Sequence, residues 1–214
     1  MPNPKNDARA IAEKLKSLGF EVIEGEDLTK VAMDGMVRRF AQQVSDAEVG
    51  LLFYAGHGMQ VQGKNYLIPI DAQLANETAV DFETVSADQV LNYMEAPGRV
   101  SIALLDSCRD NPLARRFARC LGASRSGAVG QGMAIPALQG GVLIGFATAP
   151  GEVAADGEGD HSPFTRALIN NLDAKGIEVE QMFKRVRREV QNLTDNQQQP
   201  WNNSSLKDDF FFNP

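Results

Sequence analysis

The stretch Val49-Gly50-Leu51-Leu52-Phe53-Tyr54-Ala55, followed at once by Gly56-His57-Gly58, has a counterpart further along the chain. That counterpart is Val100-Ser101-Ile102-Ala103-Leu104-Leu105, followed by Asp106-Ser107-Cys108-Arg109-Asp110. Both are apolar runs with little alternation, the pattern of strands covered on both faces in a parallel sheet. Each run stops at a residue able to do chemistry. Neighbouring strands lie about 4.8 Å apart. If these two are parallel neighbours, His57 and Cys108 face one another at the rim where open α/β sheets keep their sites.

That pairing suits nucleophilic catalysis. An imidazole can take the proton of a thiol, or hold the thiolate as an ion pair. Gly56 and Gly58 leave the backbone free to turn sharply around His57. The amides of Gly58 and Cys108 can both point at a developing oxyanion. Taken singly, Gly-His-Gly reads as a turn and a strand-end Cys as a small buried hydrophobe. Together they say more, because both follow the same kind of strand and the chain has only two His and two Cys.

Phe53-Tyr54-Ala55-Gly56-His57-Gly58, with the Cys of Leu104-Leu105-Asp106-Ser107-Cys108-Arg109-Asp110 51 residues after the His, resembles the caspase-like cysteine peptidases. The residues flanking Cys108 are Asp106-Ser107 before it and Asp110 after, unlike the animal caspase signature. They are similar to the metacaspase, orthocaspase and paracaspase branch, which cleaves after Arg or Lys. The resemblance runs from about Asn6 to Phe212. It implies a single peptidase domain over residues 1–214. The implied fold is an α/β, three-layer α-β-α sandwich around a mostly parallel sheet. In the resembled family a central strand precedes the Asn6-Asp7-Ala8 motif. Here that motif comes almost at the start, so the first central strand is expected to be missing and the domain truncated at its N-terminus.

The 214 residues suit one α/β domain with a substantial core. Twenty-one basic against 28 acidic residues give a net charge of −7. This argues against nucleic acid as the main partner and suits a cationic substrate. Two Cys make no disulfide framework, and pairing Cys108 with Cys120 would disable the nucleophile. No apolar stretch is long enough to span a membrane and no signal peptide is visible, so the expectation is a cytoplasmic protein without a membrane partner.

Helical spacing of Ala8, Ile11, Ala12, Leu15 and Leu18 predicts a helix over Asp7 to Leu18, with Asn6 as its N-cap. Phe20 to Ile23 reads as a short strand and Thr29 to Val44 as a second helix. After His57, Gln62-Gly63-Lys64 turns a hairpin. Asn76 to Thr84 reads as a polar loop, and Ser86 caps a short helix carrying Val90, Leu91 and Met94. The stretch 113–132, with Arg115, Arg116, Arg119 and Arg125 among small residues, reads as an exposed loop. A strand over Gly141 to Ala147 follows. Ser162-Pro163 starts a helix, and Val179 to Leu193 forms a longer one whose Lys184, Arg185, Arg187 and Arg188 make a solvated face. Asp209 to Phe212 reads as the last strand.

Three acids are candidates for reading the substrate. Asp106 lies two residues before Cys108 on the same side of the strand, and a carboxylate at the end of a buried strand needs a partner. The resemblance implies that Asp106 and Asp7 line a pocket for a basic side chain. It also implies that Asp156 stands where animal caspases use an Arg to bind an acidic one. A guanidinium is read best by paired carboxylates. His161 competes as a second imidazole, but its polar loop suggests a surface role. The implied mechanism is acyl transfer by a His57/Cys108 dyad on a peptide or protein substrate; the Arg-rich stretch suggests a second hypothesis, self-processing in 113–132 after Arg116, Arg119 or Arg125. No cofactor is expected. Calcium activation is a property of related enzymes, yet Asp81, Glu83 and Asp88 are scattered and no metal site is assigned. The alternative is a catalytically silent caspase-like binding or scaffold module.

Overall fold

A computed structural model describes residues 3–107, 114, 117–118, 129–130, 133–134, 140–150, 152, 154–157 and 159–214. In chain order the elements begin with α1 (Asn3–Ser17), α2 (Lys30–Gln43), β1 (Val49–Ala55), β2 (Gly58–Val61) and β3 (Lys64–Leu67). They continue with α3 (Ala79–Glu83), β4 (Val85–Ser86), α4 (Ala87–Met94), β5 (Val100–Asp106) and β6 (Val129–Gly130). Then come β7 (Val142–Phe146), α5 (Pro163–Asn171), α6 (Val179–Leu193) and β8 (Trp201–Ser204).

The central sheet has the order β1-β5-β7-β8. β1, β5 and β7 are parallel and β8 closes the sheet antiparallel. The two apolar runs are therefore neighbours, in a register that sets Ala55 beside Asp106. Successive side chains of β5 point to opposite faces. Ile102 and Leu104 meet α1, α5 and α6 through Ile11, Leu15, Phe164, Leu168 and Phe183. Ala103 and Leu105 meet α4 through Val90, Leu91 and Met94 and, less tightly, α2 through Met33, Val37 and Phe40. The result is the three-layer sandwich. Each fully buried Leu or Phe stabilises it by about 1.5–3 kcal/mol.

A second, antiparallel sheet, β4-β3-β2-β6, grows from the end of β1. Its hairpin turns at Gln62 (φ 51°) and Gly63 (φ 76°), the two left-handed positions of a type I′ turn. Met59, Leu74, Val80 and Phe117 pack behind it. The side-chain oxygens of Thr29, Ser86 and Ser162 cap α2, α4 and α5 by accepting from Ala32, Gln89 and Thr165 N–H.

Several expectations are corrected. α1 starts at Asn3 rather than Asp7, because Pro4 fits a first helical turn. Asn6 is consequently inside the helix, and its Nδ2 donates to the Asp160 carbonyl (3.2 Å). Residues 76–84 contain the short helix α3. The last strand is the polar Trp201–Ser204. Phe211 makes an isolated bridge to Glu178, while Phe210 and Phe212 pack edge to face (5.0 Å) at the core margin. Arg187 of the basic face instead grips β8, donating to the Pro200 carbonyl (2.9 Å) and Asn202 Oδ1 (2.6 Å).

Phe20 to Ile23 is not a strand. Among the described residues β1 pairs with β5 alone. An apolar cavity of about 500 Å³ lies between its outer side and residues 20–25, bordered by Ile11, Leu15, Met36, Phe40, Leu51 and Phe53. Among the described residues no strand stands beside β1 where Phe20 to Ile23 could have found a partner.

Candidate active site

β1 ends where its chain must turn. Gly56 N donates to the Asp106 carbonyl (3.2 Å), and a Cβ on Gly56 would fall 2.8 Å from Tyr54 Oη. Tyr54 Oη and Ile68 N both donate to the His57 carbonyl, at 2.8 and 3.0 Å. The backbone of His57 is thus clamped from two sides while its side chain is half-buried. Gly58 opens β2 and is buried. A Cβ there would lie 3.0 Å from Ser107 Cβ and 3.1 Å from Met133 Sδ. The second glycine is what lets β2 lie against the chain leaving β5. His57 and Cys108 each stand two residues beyond the Ala55–Asp106 pair. Cys108 with its amide, Cys120, Arg115, Arg116, Arg119 and Arg125 lie outside the described residues.

The acids converge on the start of α5. Asp106 and Asp7 are both fully buried. Ser162 Oγ donates to Asp106 Oδ2, and Thr165 Oγ1 donates to the same oxygen (2.8 Å). Ser162 N donates to Asp7 Oδ1 (3.2 Å). His161 Nδ1 lies 3.1 Å from that oxygen. Ser162 therefore touches both carboxylates. Two buried carboxylates in one region cost free energy unless they are hydrogen-bonded. Here hydroxyls, an amide and the positive end of α5 supply the compensation.

Asp156 is half-buried in the loop beside them. Its carbonyl accepts from Asn3 Nδ2 (2.6 Å). Asn3 is one helical turn before Asp7 and shares its face of α1. Ala155 N donates to Gln198 Oε1 (2.9 Å), and Gln198 Nε2 donates to the Ala147 carbonyl (2.7 Å) at the end of β7. The loop is held between α1 and the central sheet, and its Gly157 lies against Pro163 at the start of α5, the helix start that Asp7 and Asp106 also meet.

His161 departs from its expected surface role, since it sits against a buried carboxylate. Tyr54, Thr165 and Gln198 were missed. So was Asn65, which is buried and exchanges two hydrogen bonds with the backbone of Ala134 (2.9 and 2.7 Å). The Ser162-Pro163 cap was visible in sequence, but its second task on two distant carboxylates was not. Glu83 Oε2 accepts from Gln73 and Leu74 N–H (both 2.7 Å), and Asp88 Oδ2 accepts from Asn65 N (3.4 Å). Burial pushes the Asp88 pKa up. Among the described residues no group of three or more His, Cys, Asp or Glu is arranged to hold a metal, and no helix is long and apolar enough to cross a membrane.

The profile of the caspase domain matches residues 1–211. Human mucosa-associated lymphoid tissue lymphoma translocation protein 1 is 30% identical over 107 residues, 50% of this chain and 13% of that protein. Its mouse homolog is likewise 30% identical over 107 residues, 50% of this chain and 12% of that protein. The match thus spans only a small part of these relatives. The structure of caspase-1 from Spodoptera frugiperda superposes with a TM-score of 0.67 at 21% identity, covering 97% of this chain and 80% of that one. That likeness is one of fold.

Proposed function

Because this chain belongs to the caspase-domain family of cysteine peptidases, we propose that it is an endopeptidase cleaving after Arg or Lys with a His57/Cys108 dyad. The observation that supports the specificity is the joining of two buried carboxylates through Ser162, Asp7 of α1 and Asp106 at the end of β5. A guanidinium entering beside them gains short, charge-assisted hydrogen bonds. Asp156, on the loop beside the same helix start, adds a third negative group.

In this reading the Cys108 thiolate attacks the carbonyl after the basic residue. The Gly58 and Cys108 amides hold the oxyanion. His57, protonated in the ion pair, gives its proton to the leaving amine as the C–N bond breaks. It then takes a proton from the water that releases the acyl group. The clamp on the His57 carbonyl, from Tyr54 and Ile68, holds the backbone that carries the base. The substrate is a peptide or protein segment with an exposed basic residue. The same specificity directed at Arg116, Arg119 or Arg125 makes the protein its own substrate. Mass spectrometry of purified protein, compared with Cys108→Ala, reads that directly.

The deciding experiment is turnover of an Arg-ended fluorogenic peptide. Wild type is expected to cleave it, to spare the Asp-ended analogue, and to lose turnover on Cys108→Ala. Full activity in that variant contradicts the assignment. One observation favours a second reading, the silent binding module. The strand leading to His57 borders a cavity and pairs on one side only among the described residues. A folded protein that cleaves neither peptide would support it.

A further inference from the structure

We propose that the cavity beside β1 is a strand-binding slot, which takes an extended aliphatic segment of a partner protein between residues 21–25 and β1. Its two walls are backbone edges that run the same way. Gln43, the last residue of α2, donates through Nε2 to Glu21 Oε1 (2.9 Å), so residue 21 stands near the end where β1 starts. Further on, the Leu28 carbonyl accepts from Ile70 N (3.1 Å), and nearby Ile68 N meets the His57 carbonyl beyond the end of β1. Among the described residues no backbone hydrogen bond joins residues 21–25 to another segment. On β1, the Glu48 carbonyl accepts from Val100 N (3.0 Å) and Gly56 N donates to the Asp106 carbonyl (3.2 Å). The even-numbered residues thus turn their backbone groups toward β5. Val49, Leu51 and Phe53 turn theirs the other way, toward the cavity that they border.

The slot is covered on both faces. Leu51 and Phe53 share the face that packs with Ile11 and Leu15 of α1, and Leu52 shares the face that packs with Met33 and Phe40 of α2. A strand entering there is enclosed above and below, so it must be aliphatic at every position rather than alternating. The bordering part of β1, from Val49 to Tyr54, sets its length at about six residues. An acyl chain would fill the same volume but leave both rows of backbone donors and acceptors unmet, which is costly where water is excluded. Charge adds a further requirement. Glu21, Glu24 and Glu48 border the cavity, and among the described residues no Lys or Arg does. Glu24 is paired with Lys16 (2.8 Å). Glu21 and Glu48 favour a basic residue at the end of the segment that lies by the start of β1.

The test uses the full chain carrying Cys108→Ala, so that a basic peptide is not cut. The probe is an end-blocked synthetic peptide of two lysines followed by six alternating valines and isoleucines. Amide hydrogen exchange of residues 21–25 and 49–53 is expected to slow by about tenfold or more, with residues 142–146 unchanged. The unfolding temperature should rise with peptide concentration. Methylating every second peptide nitrogen removes the donors to one edge only. Both edges are used, so methylation in either phase should abolish the protection. Exchanging the two lysines for glutamates should weaken binding by about threefold to tenfold. Val22→Arg places a charge in the slot and should abolish binding. Met36→Lys serves as the second variant, and thermal unfolding checks that each is folded. Binding retained in both folded variants, or no protection by the peptide, overturns the proposal. So does protection that ignores methylation, the mark of an apolar filler, or that responds to one phase only, the mark of a single edge. Dimerisation of the free protein that the peptide reverses would assign the slot to a second copy and overturn the partner.

Discussion

The two flanks of the central sheet use similar residues and are packed very differently. On the β7–β8 side, α5 and α6 press Phe164, Leu168, Phe183 and Val186 against the strands, and all four are at most 1% exposed. Phe183 lies so close to β7 that a Cβ on Gly145 would fall 2.3 Å from its ring. On the β1 side, α2 is amphipathic yet buries none of its residues completely. Met36 and Phe40 border the cavity of about 500 Å³ instead. An amphipathic pattern decides which face of a helix turns inward. It does not decide whether anything is there to meet it. The candidate site straddles the two conditions, with its acids clamped by α5 and its imidazole following β1.

Leu104→Ala tests the tight flank and should have the largest effect. The Leu104 side chain is fully buried between β5 and the α1, α5, α6 layer. Its truncation is expected to cost about 3–5 kcal/mol in urea unfolding. A loss below about 1 kcal/mol would erase the contrast between the flanks. Asp106→Asn comes next. Cleavage of an Arg-ended peptide should fall about 100-fold in kcat/KM, about 2.7 kcal/mol, with a much smaller change for the citrulline analogue. An equal fall for both would assign Asp106 to holding Ser162 and Thr165 rather than to specificity.

On the loose flank, Phe40→Ala should cost about 1 kcal/mol or less, because Phe40 already borders empty space. A cost as large as that of Leu104→Ala would show that this side is packed in solution. The smallest effect concerns Asp88, half-buried at the start of α4. Burial raises its pKa above the usual 3.8, against the opposing pull of the Asn65 N–H and Lys64. A carboxyl raised in the folded state favours its neutral form. Its contribution is therefore present below the unfolded value and lost as pH rises through the folded one. Asp88→Asn should match wild type below about pH 3.8 and become more stable above it, by less than about 1 kcal/mol given the partial exposure. Thermal unfolding across that range would show the gap opening, and a gap opening on acidification would refute the sign.

The legible parts of the fold were those with local physics. Uninterrupted apolar runs marked β1 and β5, Gln62-Gly63-Lys64 marked the hairpin turn, and Ser86 and Ser162 marked helix starts. The last strand was misplaced because Trp201–Ser204 is polar, its pairing fixed by β7 and by Arg187 from another element. Three neighbouring phenylalanines looked like a strand, but Phe210 and Phe212 serve as a plug against Phe20 and the core. At the site, the reactive residue types and the acids could be named from sequence. Their connection through Ser162 spans 155 residues to Asp7 and 56 to Asp106, and no local pattern reports it. Asn65 and Gln198 were invisible for the same reason, as buried side chains that serve backbone far along the chain.

The most direct measurement is covalent labelling with a thiol-reactive peptide probe that ends in Arg, read by intact mass and peptide mapping. A single adduct on Cys108 is predicted, lost on His57→Ala, strongly reduced by Asp106→Asn, and not formed by the Asp-ended probe. Labelling that ignores the identity of the terminal residue, or that lands on Cys120 while Cys108 stays free, would contradict the account.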